Sequence, residues 1–149
     1  MHTETFLVSL LATLPAARAF KFTGPDPSEP IDVNKEITIT WEGEIPDNLS
    51  PKFELLWHCE PDPLHKITSD INRLVDEIDL SDREYKVRFH SSNPMLTPFA
   101  DKIAANKVFS FWAIFTDEKQ DDIWVQYSSQ NYAMIGLDKK QEEDPEVDL

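Results

Sequence analysis

Along most of the chain, apolar and polar residues alternate with a period of two, the pattern of strands that bury one face. From Glu36 to Glu42, Ile37, Ile39 and Trp41 alternate with polar neighbours. Asp47 to Pro51 reads as a loop, and Phe53, Leu55, Trp57 and Cys59 then mark one face of a second strand. Tyr85, Val87 and Phe89 give a third. Lys107 to Asp117 gives a fourth, with Phe109, Phe111, Ala113 and Phe115 on one side. Val108, Trp112 and Ile114 occupy its other side, which predicts a central strand covered on both faces. After the acidic turn from Asp117 to Asp122, Ile123, Val125 and Tyr127 start a fifth strand, which Tyr132 and Met134 extend or follow.

Other segments follow different rules. Phe20 to Pro30 holds three prolines and a Gly24-Pro25 pair, which suits an edge strand and a turn but not a helix. Ile71, Leu74, Val75 and Ile78 fit the i, i+3, i+4, i+7 spacing of an amphipathic helix with Ser69 or Asp70 as cap; a strand over 71–78 is equally open. Pro94 to Ala105, with Pro98 at a first helical position, predicts a short helix crossing from one sheet to the other. Short strands joined by turns, with one or two short helices in the connections, predict an all-β fold of β-sandwich type.

Phe22-Thr23-Gly24-Pro25, then Ile31-Asp32-Val33, then Ile37-Thr38-Ile39-Thr40-Trp41 carry a family resemblance. They resemble the opening of the immunoglobulin-like N-terminal domain of fungal cell-wall β-1,6-glucan synthesis proteins and related small secreted fungal proteins. The stretch from Tyr127 to Ile135 is similar to the last strand of such domains. The resemblance implies an immunoglobulin- or fibronectin-III-like sandwich that is fungal, extracellular and associated with the cell wall.

The segment before the first strand fits that setting. Phe6 to Leu14 is an apolar run followed by Pro15 and the A-x-A pattern Ala17-Arg18-Ala19, which predicts a signal peptide over 1–19, cleaved after Ala19. The folded domain is then expected over 20–137. The last segment, 138–149, reads DKKQEEDPEVDL, with six acids and two bases, and is expected to be a disordered acidic tail. No lipid-anchor signal is expected after it, and no membrane span after signal removal.

Charge and composition narrow the function. Fourteen Lys and Arg stand against 28 Asp and Glu, a formal net charge of −14, which repels nucleic acid. The three glycines, Gly24, Gly43 and Gly136, are too far apart for a phosphate loop or a Gly-x-Ser-x-Gly elbow. Cys59 is the one cysteine, so the fold must stand without an internal disulfide and without a Cys-x-x-Cys site.

Candidate chemistry is sparse. The run from His58 to His65 gathers two imidazoles, a thiol and two carboxylates, but alternation sends Cys59 to the face opposite His58. It is therefore read as a buried cysteine at a strand end with solvated histidines on a loop. No catalytic residue, metal or cofactor is assigned. The residues assigned to ligand binding are Trp112, Ile114 and Trp124, which point away from the apolar faces of their strands; the competing arrangement has the 94–105 helix covering the tryptophans. Asn48-Leu49-Ser50 is a glycosylation sequon, disfavoured by Pro51. The expected function is that of a secreted, monomeric, non-enzymatic module binding a cell-wall glycan or an extracellular protein. The alternatives are a small hydrolase acting on polysaccharide through a carboxylate pair and a secreted effector-like interaction protein.

Overall fold

The computed structural model describes residues 18–71 and 77–139. The chain is mostly β-strand, arranged in several sheets with one short helix, which is the all-β class the alternation predicts. Three antiparallel strands form one sheet in the order β1 (Lys21–Gly24), β3 (Ile37–Glu42), β7 (Glu84–Val87). A second sheet runs β5 (His65–Asp70), β4 (Leu49–Asp62), β8 (Phe109–Asp117), β9 (Trp124–Ser128). The two-residue strand β6 (Ile78–Asp79) pairs with β4 beyond the end of β5. A parallel pair, β2 (Ile31–Asp32) and β10 (Met134–Ile135), joins an early segment to the end of the described chain.

The inner faces of the two larger sheets share one apolar cluster. Ile37, Ile39 and Trp41 bring one wall; Phe53, Leu55, Trp57, Cys59, Phe109, Phe111, Ala113 and Phe115 bring the other, all buried. Their rings meet mostly edge to face, the arrangement aromatic quadrupoles favour: Trp41 stands on Phe53 at 5.1 Å, and Phe20 on Phe115 at 5.3 Å. Trp41 also donates its indole N–H to Leu80 O at 2.9 Å, which ties β3 to the 3-10 turn after β6.

Several boundaries differ from expectation. β4 begins at Leu49, inside the expected 47–51 loop: Leu49 pairs with Asp117 and is buried. The register shifts between Leu49 and Phe53, and Pro51, which has no N–H to give a ladder, sits in that irregular stretch. The third strand stops at Val87, although Phe89 is still buried. The strand β5 lies where no strand is expected: His65 reads as a loop histidine and Ser69 or Asp70 as a helix cap. Of the 71–78 segment, residues 72–76 lie outside the described residues, and Ile78 is in β6 opposite Phe53.

The crossover from β7 to β8 passes from one sheet to the other through a 3-10 turn, Thr97–Phe99, and the helix α1, Ala100–Ala105. Pro98 occupies the first turn, where its missing N–H costs no bond, and Ile103 fills the core. Of the segment expected to be a signal peptide, residues 1–17 lie outside the described residues. Arg18 O accepts from Glu44 N–H, and Ala19 bridges Glu44. Gly43, at φ +98°, allows that approach, since a side chain there would collide with the Ala19 carbonyl. Of the expected tail, residues 140–149 also lie outside the described residues; Asp138 N–H donates to Ser91 O at 2.8 Å.

Candidate functional site

Alternation along four paired strands builds the candidate face. In β4 the odd residues Phe53 to Cys59 point inward, so Glu54, Leu56, His58 and Glu60 point out. In β8 the same logic sends Ser110, Trp112, Ile114 and Thr116 outward, and in β9 Trp124, Gln126 and Ser128. Register places them side by side. Trp112 lies between Leu56 and Ser128, Ile114 between Glu54 and Gln126, and Thr116 beside Trp124.

The three expected binding residues, Trp112, Ile114 and Trp124, thus lie on one outer surface, yet they are unequally available. Trp124 is 36% exposed, whereas Trp112 and Ile114 are half-buried. The helix is not what shields Trp112: α1 packs on β10 and β4. Trp112 is covered by His58, whose ring stacks on the indole at 4.2 Å with planes 17° apart. β8 is therefore central, as expected, but its outer side is covered only in part.

His58 corrects the expectation of a solvated loop histidine. Its side chain is only 12% exposed, and it is held within β4 by both nitrogens. In the neutral ring Nε2–H donates to the Glu60 carboxylate at 2.6 Å, and Nδ1 accepts from the Thr68 hydroxyl of β5 at 2.7 Å. That hydrogen bond holds the Glu60 carboxyl below its ordinary range. Sequence reading missed His58 because HKITSD carries too little apolar residue to announce β5, and without β5 there is no Thr68 to anchor the ring. The available signal was parity: His58 shares the outward phase of Leu56.

The remaining members of the 58–65 cluster go elsewhere. Cys59 is fully buried inside β4, opposite Phe109 and Ile67, and not at the strand's end. Burial, reinforced by the nearby Glu60 charge, pushes its thiol up to about 12, far from the thiolate a nucleophile needs. Asp62 lies at the hairpin end and accepts from His65 Nδ1–H at 2.7 Å, Leu64 N–H at 2.9 Å and Lys102 Nζ at 3.2 Å. Those donors, His65 foremost, hold its carboxyl down at about 2. They also clamp the β4–β5 hairpin to α1, with the His65 ring tilted on Phe99 at 4.7 Å. Among the described residues no group of three or more His, Cys, Asp or Glu is placed to hold a metal ion.

Asn48, the sequon residue, is half-buried, and its amide nitrogen donates to Asp117 Oδ2 at 2.9 Å. Glycosylation would use the same nitrogen. Asp117 Oδ1 meanwhile accepts from the N–H groups of Lys119 and Gln120, closing the acidic turn on itself. The Asn48 hydrogen bond is the main cause that lowers the Asp117 carboxyl.

Among carboxylates, Glu54 moves the other way. Burial raises it first, and the charges of Asp70 and Glu77 raise it further. No protein-family model matches the chain, and neither a curated protein nor a solved structure matches it.

Proposed function

We propose that the chain is a secreted, non-enzymatic immunoglobulin-like β-sandwich module that binds an extracellular partner, a cell-wall glycan or a protein, through the outer face of the β5-β4-β8-β9 sheet. The observation that carries this reading is the placement of Trp112, Ile114 and Trp124 on adjacent strands of one face, with Trp124 exposed. Strand order supports the immunoglobulin-like part. With β1, β3 and β7 taken as A, B and E, and β5, β4, β8 and β9 as C′, C, F and G, the two sheets follow the order of that fold. The resemblance to the fungal cell-wall domains points the same way and supports an extracellular, cell-wall-associated monomer.

Three cleft carboxylates favour the non-enzymatic reading. A polysaccharide hydrolase needs a general acid whose carboxyl is raised, set in a cleft beside a second carboxylate. Three of the carboxylates that line clefts, Asp26, Asp62 and Asp117, are lowered by the hydrogen bonds they accept, which suits structural caps better than a general acid. Glu54, which is raised, stands on the sheet face.

Binding of the purified chain to isolated cell-wall polysaccharide and to purified extracellular proteins tests the reading. Trp124→Ala is expected to lower affinity by roughly tenfold, as truncation of an aromatic anchor does. Trp112→Ala should also weaken binding, through loss of the surface it builds with His58. Unchanged binding in both variants would overturn the assignment of this face.

A further inference from the structure

The edges of the sheets are not alike. Beside the two-residue β6, the edges of the two larger sheets among the described residues are β1, β7, β5 and β9. Each of the first three carries a lysine, Lys21, Lys86 or Lys66, and β1 also runs into Pro25. Charged side chains, lysine above all, and proline keep an edge strand from pairing with a further chain. β9 has neither. From Ile123 to Leu137 no residue is charged, in a sequence where 28% are.

The ladder decides what that edge presents. Asp117 N–H donates to Ile123 O at 2.8 Å and Ser129 N–H donates to Phe111 O at 2.9 Å, at the two ends of one unshifted register. Bonding residues alternate in an antiparallel pair, so Val125 and Tyr127 turn their backbone groups to β8, and Trp124, Gln126 and Ser128 turn theirs to the open side. Among the described residues no strand pairs with that side. Gln126 Nε2 donates to Ser128 Oγ at 3.2 Å, so these side chains bond along the strand and not across its edge. The exposed Trp124 indole stands at the start of the same strand.

We propose that β9 is a docking edge for an extended, uncharged segment of a partner protein, which adds as a further strand on Trp124, Gln126 and Ser128 and lays an apolar side chain beside the Trp124 indole. The inference rests on Trp124 belonging to the binding surface, and it names the partner's chemistry. Backbone complementarity carries it: N–H and C=O groups repeated at every second residue, about 7 Å apart, are matched by another extended backbone and not by a sugar ring. The uncharged edge sets the side chains. A charged residue brought against Val125 and Tyr127 would find no counter-ion on β9, and an acidic one would also meet a net charge of −14. The same net charge repels a second copy and favours a different partner.

The experiment measures affinity and residue-resolved amide hydrogen exchange of the full chain with a synthetic peptide alternating threonine and valine, the same peptide N-methylated at alternate residues, and neutral glucose oligosaccharides. In the free protein the amides of Val125 and Tyr127 are expected to exchange slowly and those of Trp124, Gln126 and Ser128 quickly; the unmethylated peptide should slow the second group. Methylation removes the peptide's donors and should weaken binding by about tenfold. Gln126→Pro, which removes a donor on the open side without breaking a bond to β8, should do the same by about as much. The methylated peptide makes that test on the parent protein, so it stands even where Gln126→Pro disturbs folding. Slow exchange of Trp124, Gln126 and Ser128 in the free chain would overturn the inference, because the edge would already be covered; protection that grows with protein concentration would identify the cover as a second copy. Equal affinity for the two peptides, or affinity that falls steeply with salt, would also overturn it, since side chains or net charge alone would then be read. Oligosaccharide binding that Trp124→Ala abolishes, without peptide binding, would sink the strand addition and leave the outer face as the binding surface. Peptide protection of the β9 edge that neither Trp112→Ala nor Trp124→Ala weakens would keep the edge and sink the tryptophan face.

Discussion

Two tyrosines with buried hydroxyls show how the same side chain can serve opposite ends. Tyr132 is buried and donates its hydroxyl to Pro25 O at 2.6 Å, bridging the end of the domain to the turn after β1. Tyr127, half-buried as a residue, packs its ring on Phe20 and Phe115, and its phenol oxygen is buried with no partner among the described residues. Burial raises both phenols to about 12, so both remain protonated donors at neutral pH. Removing one partner of a made bond leaves the other stranded, whereas removing an unmatched polar atom relieves a desolvation cost. Tyr132→Phe is therefore expected to destabilise the fold by about 1 kcal/mol, and Tyr127→Phe to leave stability unchanged or raise it. Urea unfolding midpoints of the two variants check the contrast. A larger loss in Tyr127→Phe than in Tyr132→Phe would contradict it.

The elements divide by how much of their stability is local. β3, β8 and β9 were legible because each alternates over five or more residues, and a one-residue slip would turn the apolar set outward. The crossover helix was legible from Pro98 and Ile103. β5 was not, since HKITSD is held by pairing with β4 and contributes little apolar surface of its own. The candidate site split along the same line. Trp112, Ile114 and Trp124 follow from parity within their strands, but the His58 stack depends on which strands become neighbours. The Asp62 clamp is likewise tertiary, joining the β4–β5 hairpin to α1 through His65 and Lys102. Its pH dependence follows from the lowered carboxyl. Asp62 titrates at about 2 when folded and near 4 when unfolded, so its stabilisation is fully present above about pH 4 and fades as pH falls through about 2. Comparing Asp62→Asn with the parent protein, the stability difference should be constant near neutrality and shrink between about pH 4 and about pH 2. A difference that persists undiminished at pH 2 would show that the clamp does not depend on the Asp62 charge.

At the scale of the whole molecule, one cysteine and a core of rings packed mostly edge to face decide how the fold fails. A single thiol forms no internal cross-link, so no disulfide restricts the unfolded chain, and cohesion comes from aromatic and aliphatic burial. Cys59 lies in that core at zero exposure, between Phe109 and Ile67 on neighbouring strands, with its thiol raised to about 12. In the native protein it is neither reachable nor ionised, and oxidants should leave the chain monomeric with respect to disulfides. Unfolding changes both conditions together: the thiol returns to the ordinary cysteine range and meets solvent, where thiolate attack yields a disulfide between two chains. Thiol labelling is therefore expected to track global unfolding. Heating under oxidising conditions should give a dimer on a non-reducing gel that dithiothreitol reverses, and Cys59→Ala should abolish it. Adding reductant before heating should leave the unfolding midpoint unchanged, because there is no native cross-link to break. Rapid labelling of the native protein would instead place the opening of β4 among local fluctuations, and the core would no longer act as one cooperative unit.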